Sequence, residues 1–243
     1  MMLPHPFRLH AFERIDSTND EARRQALSGA PEFTLVLARE QSAGRGRRGN
    51  SWVSPAGNLH CSLLLRPKGS AAAAAQLGFA AALAAAETVE RLVSAAAVAV
   101  KWPNDVLLGG GKVAGILLES RSAGDGIDFL VIGIGVNLAA HPADTPYPAT
   151  SLAAWGAEVT PDRALPILGA RLLAWYEAWG RGFAALRAAW LARAAGVGGP
   201  IRVRLQEGEV AGRFDGLDET GRLLLGTAEG RRAIAAGEVF PAS

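Results

Sequence analysis

The hydrophobic pattern of the chain is clearest between Phe129 and Leu138, where apolar side chains occupy every second position. Successive side chains of a β-strand point to opposite faces, so this alternation predicts a strand with one fully apolar face. That face carries Leu130, Ile132, Ile134, Val136 and Leu138, and the other carries Val131, Gly133, Gly135 and Asn137. Because glycine has no side chain, we expect the second face to leave room for a ligand.

Shorter apolar runs predict further strands. Phe33 to Ala38 and His60 to Leu65 have the length and composition of buried strands. Val98 to Leu108 and Lys112 to Glu119 are joined by the three glycines Gly109 to Gly111, which is the pattern of a β-hairpin. Together these runs predict a sheet.

Three segments predict helices that would cover this sheet. Thr18 and Glu21 have the spacing of a capping box, so we expect a helix that begins at Thr18 and ends near Gly29. The alanine-rich stretch from Ala71 to Val93 predicts a buried helix. Helical periodicity returns from Asp162 to Ala195, with Trp175, Trp179, Phe183, Leu186 and Trp190 as predicted core residues.

A glycine-rich linker, Gly196 to Pro200, divides the chain. The strands and helices before it predict one domain over residues 1–196, and we expect this domain to be α+β with a mixed β-sheet backed by helices. Beyond it, turns separate short runs of strand type, which predicts a small β-barrel over residues 197–243. These runs are Ile201 to Leu205, Val210 to Phe214, Leu223 to Leu225 and Arg232 to Ala235.

Composition excludes several classes of protein. A hydrophobic fraction of 49% with a formal net charge of +2 is typical of a globular chain and not of a disordered one. So small a net charge gives no bulk attraction to nucleic acid or membranes. The run from Ala71 to Ala86 is too short and too weakly apolar for a membrane span. We expect a cytoplasmic protein that does not associate with membranes, because the first ten residues also lack the pattern of a secretory signal.

The segment from Gly44 to Gly49 (Gly-Arg-Gly-Arg-Arg-Gly) lies in a predicted loop from Gln41 to Asn58. It fits the glycine spacing of dinucleotide-binding folds, but no helix is expected to follow it, so that interpretation fails. Glycines allow close backbone approach, and arginine forks bind phosphate or carboxylate oxygens in bidentate fashion. The loop therefore predicts a cationic flap over a ligand, and the alternative is a solvated basic loop or a nucleic-acid contact.

The segment Lys101-Trp102-Pro103-Asn104-Asp105 precedes the glycine turn, and Lys112 to Gly115 follow it. Gly-Lys here is not a phosphate-binding P-loop, since Val113 stands where that motif has serine or threonine. Lysines suit phosphate, and the Asp105 carboxylate suits a magnesium ion that bridges the phosphates of ATP. The alternative is an ordinary exposed hairpin.

A third group comprises the neutral polar residues Ser17, Thr18, Asn19 and Gln41. Gathered around one pocket, they would supply the uncharged donors and acceptors that a polar ring such as a ureido group requires. The capping of a helix by Thr18 is the alternative explanation for part of this group.

The three motifs, with Gly133 to Asn137 (Gly-Ile-Gly-Val-Asn), occur in the order of the biotin protein ligases, and the chain resembles that family from about residue 12 onward. The resemblance implies a class II synthetase-like core followed by an SH3-like barrel. It implies biotin contacts at Ser17, Thr18, Asn19, Gln41, Gly44, Arg45, Gly46, Arg47, Trp52, Lys112 and Gly115. It implies ATP contacts at Arg48, Trp52, Lys101, Asn104, Asp105, Lys112 and Asn137, with Lys112, Arg45 and Arg47 as catalytic residues and Asp105 as the metal ligand.

The implied reaction joins biotin to ATP as an acyl-adenylate and then transfers it to a lysine of the biotin carboxyl carrier protein of acetyl-CoA carboxylase. The substrates are biotin and ATP with Mg²⁺, and a homodimer is left open. Some relatives carry an N-terminal DNA-binding helix-turn-helix. We expect none here and no DNA binding, because the core motifs begin almost at once. An adenine-stacking aromatic has no clear counterpart, and Tyr147 is the nearest candidate.

Two other functions remain as alternatives. Lipoate or octanoyl ligation shares the broad chemistry, although the arginine loop argues against it. A nucleic-acid-binding regulator would rest on that loop alone, and the small net charge argues against this second alternative.

Overall fold

The structure is a computed structural model of the chain and describes residues 3–93, 97–124, 126–143, 145 and 147–241. The first of its two sheets has seven strands in the order β1-β2-β3-β7-β6-β5-β4. β1 and β2 are parallel and every other neighbouring pair is antiparallel, so the sheet is mixed as predicted. The strands are β1 (Arg8–Ile15), β2 (Thr34–Gln41), β3 (Leu59–Leu65), β4 (Val98–Lys101), β5 (Asp105–Leu108), β6 (Gly111–Ala123) and β7 (Gly126–Val136).

Helices cover both faces of this sheet. On one face α1 packs a small core in which Ala22 and Ala26 meet Val131 of β7. The larger core lies on the opposite face. The helices are α1 (Thr18–Leu27), α2 (Ala71–Ala75), α3 (Leu77–Leu92), α4 (Pro161–Gly180) and α5 (Phe183–Leu191).

Strand β7 lies in the middle of the sheet, and its two faces follow the predicted alternation. Leu130, Ile132, Ile134 and Val136 belong to the large core, whereas Val131 belongs to the α1 side. Gly133 and Gly135 therefore also face the α1 side, where they leave the backbone of β7 uncovered by its own side chains.

One helical stretch, Ala71–Leu92, is long and apolar enough to cross a membrane by length and composition. Most of it is buried inside the protein, and Leu83, Ala84 and Ala85 have no exposed surface. This agrees with the prediction of a buried core helix, although the chain breaks the stretch into α2 and α3 at Gln76.

The second sheet is antiparallel throughout, with five strands in the order β11-β10-β9-β8-β12, as expected for an SH3-like domain. The four predicted strands are present. The strand formed by Glu238–Pro241 was not predicted, because four residues give too short a pattern. The five are β8 (Pro200–Arg204), β9 (Glu209–Leu217), β10 (Leu223–Thr227), β11 (Gly230–Ile234) and β12 (Glu238–Pro241).

The predicted capping box at Thr18 is wrong. The N-cap of α1 is Ser17, whose backbone is extended at φ −152° and ψ 135°, and its carbonyl accepts from the Glu21 N–H at 3.0 Å. Thr18 lies inside the helix, and its hydroxyl is 3.0 Å from Oε1 of Gln41. A contact between distant segments has replaced the local capping bond.

The predicted hairpin is in fact two hairpins. Residues 98–108 turn back at Trp102 to Asn104, so β4 and β5 pair with each other before β5 pairs with β6. Pro103 has no N–H to donate to a ladder, which is consistent with a turn at this point. The glycine turn after Leu108 is confirmed, since Gly109 and Gly110 both have positive φ.

Trp190 of α5 is completely buried and meets the Phe79 ring edge-on, with ring centroids 5.4 Å apart. We expect Trp190→Ala to lower the free energy of unfolding by about 3–5 kcal/mol, because it leaves a large cavity in the core. Denaturant titration measures the change. The matched control is Trp155→Ala, since the Trp155 side chain is exposed, and it should cost about 1 kcal/mol or less. Equal losses in the two variants would contradict this account.

Candidate active site

One cleft on the α1 side of the first sheet gathers nearly all the predicted site residues. Its walls come from α1, the loop after β2, the strands β4 to β7 and residues 237–238 of the second sheet. Among the residues that line it are Ser17, Thr18, Asn19, Gln41, Arg45, Gly46, Arg47, Arg48, Trp52, Lys101, Asn104, Asp105, Lys112 and Gly115.

Asn137 lines an adjoining cavity of about 300 Å³ that shares Trp52, Asp105 and Lys112 with the cleft. Gly44 lies just behind the wall, where an added Cβ would come within 2.4 Å of the Trp52 carbonyl oxygen. Asn137 and Gly44 are the two predicted residues that do not line the main cleft, and both lie next to it.

At one end of the cleft, neutral side chains are linked by hydrogen bonds. The Thr18 N–H donates to Gln41 Oε1 at 2.7 Å, and Gln41 Nε2 donates to Ser54 Oγ at 2.8 Å. Ser62 Oγ lies 2.7 Å from Thr18 Oγ1 and 2.6 Å from Asn19 Oδ1. These groups carry no charge, so this end suits an uncharged polar ring.

Trp52 forms the middle of the cleft by lying directly over the sheet. A Cβ built on Gly135 would come within 2.4–2.6 Å of three atoms of the indole ring, and one on Gly115 within 3.0 Å. The ring can approach only because both positions are glycine. Its buried Nε1 has no hydrogen-bond partner among the described residues.

The other end of the cleft is cationic. Lys112 Nζ lies 2.6 Å from a carboxylate oxygen of Asp105, and Lys101 Nζ lies 4.0 Å from the other oxygen. Lys101 is buried, and its Nζ lies 3.2 Å from the centroid of the Tyr147 ring. Burial, and secondarily the nearby Lys112, lowers the pKa of Lys101 to about 8, against the opposing effect of Asp105. Lys101, Lys112 and the partly buried Arg47 outnumber the two carboxylates of this end, Asp105 and Glu238, and so leave net positive charge for an anionic ligand.

The arginines of the loop after β2 are more constrained than the sequence suggested. Arg45 Nη2 lies 2.8 Å from both Asp20 and Glu119, so two carboxylates offset its charge. Arg47 Nη1 lies 3.3 Å from Asn104 Oδ1, and burial lowers the pKa of its guanidinium. The ion pairs of Arg45 tie the beginning of the loop to α1 and β6.

Two predicted amide residues support the backbone of the site. Asn104 Nδ2 donates to the Ile116 carbonyl at 2.6 Å. Asn137 is buried and its Nδ2 donates to the Thr150 carbonyl at 3.0 Å, which fixes the segment beside Lys112. These bonds use side-chain N–H groups of Asn104 and Asn137, two residues that the sequence predicted to contact ATP.

The sequence did not point to Ser62, Glu119, Gly237 or Glu238, among others. Ser62 and Glu119 lie within ordinary strand patterns, and only the packing of α1 on the sheet brings them into hydrogen-bond contact with Thr18 and Asn19. Glu238 begins β12 of the second sheet and Gly237 directly precedes it, and the Gly237 carbonyl lies 3.5 Å from Arg47 Nη1. Their approach depends on how the two sheets pack, for which the sequence contains no local signal.

Comparison with known proteins gives matches over both parts of the chain. Residues 11–137 match the Biotin/lipoate A/B protein ligase family, and residues 197–240 match the Biotin protein ligase C terminal domain. A biotin–[acetyl-CoA-carboxylase] ligase of Paracoccus denitrificans is 49% identical over 93% of this chain and 98% of its own length. The bifunctional ligase/repressor BirA of Bacillus subtilis is 36% identical over 93% of this chain and 71% of its own.

Solved structures agree with the sequence matches. The biotin protein ligase of Aquifex aeolicus in complex with biotin and ATP superposes with a TM-score of 0.81 at 28% identity. The superposition covers 96% of this chain and 97% of that one. The fold therefore extends over both sheets.

The approach of Trp52 to β7 predicts the effect of one added methyl group. We expect Gly135→Ala to displace the Trp52 ring and to destabilise the protein by about 1–3 kcal/mol, because the space is already filled. NMR of the Trp52 indole N–H, assigned with Trp52→Phe, measures the displacement. Gly180→Ala is the matched control, since its added Cβ meets nothing within 4 Å. An unchanged Trp52 signal in Gly135→Ala would show that the ring does not lie over this strand.

Proposed function

The chain belongs to the biotin protein ligase family, and from this membership we propose how its cleft carries out the family's reaction. It is an ATP-dependent ligase that activates biotin as biotinyl-5′-AMP. It then transfers the biotin to a lysine of the biotin carboxyl carrier protein of acetyl-CoA carboxylase.

One observation supports the assignment of substrates to the two ends of the cleft. The neutral chain of Thr18, Gln41 and Ser62 lies at one end, and the paired lysines Lys101 and Lys112 lie at the other. Biotin has an uncharged ureido ring at one end and a carboxylate at the other, so it fits this division. We therefore propose Ser17, Thr18, Asn19, Gln41, Gly44, Gly46 and Gly115 as biotin contacts.

In the first step an oxygen of the biotin carboxylate attacks the α-phosphorus of ATP. A new C–O–P linkage forms, the bond to the β-phosphate breaks and pyrophosphate leaves with the electron pair. Negative charge builds on the α-phosphate oxygens, and fixed cations that face those oxygens lower the barrier. We propose Lys112, Arg45 and Arg47 for this role, with Arg48, Lys101, Asn104 and Asn137 on the nucleotide side.

The release of Arg45 and Lys112 from carboxylates is part of this proposal. Arg45 is paired with Asp20 and Glu119, and Lys112 is paired with Asp105. The phosphates of ATP carry more negative charge than a single carboxylate, so they compete with these carboxylates for Arg45 and Lys112. We propose that ATP binding draws the cations toward the α-phosphate and that Trp52 then separates the adenylate from water.

In the second step the uncharged amine of the carrier lysine attacks the acyl carbon. An amide bond forms, AMP leaves, and the amine loses a proton. The acyl-phosphate anhydride supplies the driving force, so this chain has to orient the two reactants and exclude water.

A magnesium ion would offset further phosphate charge, and Asp105 is the residue proposed to contact it. Among the described residues no group of three or more histidine, cysteine or acidic side chains could hold a metal. A single carboxylate such as Asp105 is enough for an Mg²⁺ ion that is already bound to the ATP phosphates, which is how Mg²⁺ is commonly bound. Lys101 and Lys112 already surround this carboxylate, so the phosphates would have to provide most of the ligands.

Lipoate or octanoate ligation is the second candidate, because the matching family includes lipoate ligases. Biotin is favoured by the polar end of the cleft, since an alkyl or dithiolane tail has no donor for the oxygen lone pairs that the internal hydrogen bonds of this end do not use. A cytoplasmic location and the lack of specific DNA binding remain predictions, and a homodimer is left open.

The reaction can be tested directly. We expect incubation with biotin, ATP and a carrier domain to add the mass of one biotin, less water, to the carrier. Octanoate in place of biotin should give no product. Modification of the carrier by octanoate but not by biotin would reject the proposal.

Lys112→Ala tests the cationic end. We expect this variant to release pyrophosphate about 100-fold more slowly or worse, because the charge facing the reacting phosphate is lost. Lys68→Ala, which removes an exposed lysine that lines neither the cleft nor its adjoining cavity, should release it at the normal rate. Near-normal release by Lys112→Ala would contradict the role assigned to Lys112.

The lowered pKa of Lys101 predicts a pH dependence. Lysine is charged below its pKa, so the attraction of Lys101 for ATP should be full below pH about 8 and decline above it. We expect KM for ATP to rise through this range, and to rise less in Lys101→Arg, because arginine stays charged. KM for biotin over the same range is the control. Identical ATP profiles for the two proteins would exclude Lys101 as the titrating group.

A further inference from the structure

Glu119 lies near the end of the polar pocket but belongs to none of the motifs from which the biotin site was proposed. We propose that Glu119 is a positioning residue: it fixes the side-chain amide of Asn19 so that the amide oxygen faces the pocket. This proposal rests on the proposed biotin site and concerns what holds that site in its binding conformation.

The contacts of Glu119 connect three separate elements. Its Oε2 accepts from Asn19 Nδ2 of α1 at 2.7 Å and from Arg45 Nη2 of the basic loop at 2.8 Å. Glu119 itself is on β6, and its side chain is about one-third exposed, whereas Asn19 is buried. The partner of the buried amide is thus a charged group at the edge of the solvent.

The acceptor oxygen of Glu119 decides which way the Asn19 amide points. An ionised carboxylate can only accept hydrogen bonds, so the NH₂ group must face it and the oxygen must face away. Ser62, which lies 2.6 Å from Asn19 Oδ1, does not decide the matter, because a hydroxyl can donate or accept. Without Glu119 both orientations of the amide could be satisfied at Ser62.

The amide oxygen faces the floor of the cleft. A Cβ built on Gly133 would come within 2.2 Å of Asn19 Oδ1, and both residues line the cleft. A carbonyl oxygen has two lone pairs, and Ser62 uses one. In this proposal the second lone pair accepts a ligand N–H, which a cyclic urea has and an alkyl chain or a dithiolane lacks. Glu119 would therefore contribute to the selection of biotin without touching it.

The test is the dissociation constant for biotin alone, measured by calorimetry without ATP. We expect Glu119→Ala to weaken binding about tenfold, because the Asn19 amide loses the acceptor that orients it. Glu119→Gln keeps an oxygen acceptor of the same shape, and Arg45, which can only donate, holds that oxygen on the side shared with Asn19. Its affinity should therefore stay within about threefold of the original. Asp20→Ala, which removes the other partner of Arg45 and leaves Asn19 untouched, is the matched control and should also stay within about threefold.

A double variant separates action through Asn19 from action on the loop. If Glu119 acts through Asn19, then Glu119→Ala should weaken binding no further once Asn19→Ala is present. Additive losses, or equal losses in Glu119→Ala and Glu119→Gln, would overturn the proposal, since they mean that the charge acts on Arg45 instead. Failure of the unaltered protein to bind biotin would reject the proposed function itself.

Discussion

The cleft depends on the absence of two side chains from the middle of the first sheet. Gly133 and Gly135 lie on the α1 side of β7, where the amide of Asn19 and the indole of Trp52 occupy the space a Cβ would need. Every other feature of the site is arranged around this bare stretch of backbone. The polar end forms where α1 comes down over Gly133, and the wall between the two ends forms where Trp52 covers Gly135.

Electrostatics divide this space into two unlike halves. The hydrogen-bonded chain of Thr18, Gln41 and Ser54 is neutral, so it costs little to bury and has little attraction for phosphate. At the other end Lys101, Lys112 and Arg47 outnumber the carboxylates Asp105 and Glu238, which leaves that end short of negative charge. A molecule with one neutral polar end and one anionic end can satisfy both halves only in one direction.

The parts of the site that could be predicted from the sequence are those set by short-range patterns. The exposed backbone of β7 follows from the period of two, and Lys101, Asp105 and Lys112 are neighbours because turns return the chain on itself. Thr18 shows where local rules fail, because a contact with Gln41, 23 residues away, replaced its capping bond.

Glu119 and Ser62 show why some of the site could not be predicted at all. Each is a single polar residue in an ordinary strand, and each acquires its role from a partner on α1, 100 residues away for Glu119 and 43 for Ser62. Such partners follow from the order of strands in the sheet. That order is a property of the whole domain, and the sequence around Glu119 and Ser62 does not indicate it.

Residues 237 and 238 at the edge of the second sheet face the cleft, and the Tyr147 hydroxyl beside Lys101 donates to the Val239 carbonyl at 3.0 Å. Ribosomes make the chain from the N-terminus, so this wall of the cleft emerges long after the lysines it adjoins. A nascent chain would therefore hold both lysines before it held a finished cleft. Synthesis itself would delay the appearance of an intermediate that could acylate unintended amines.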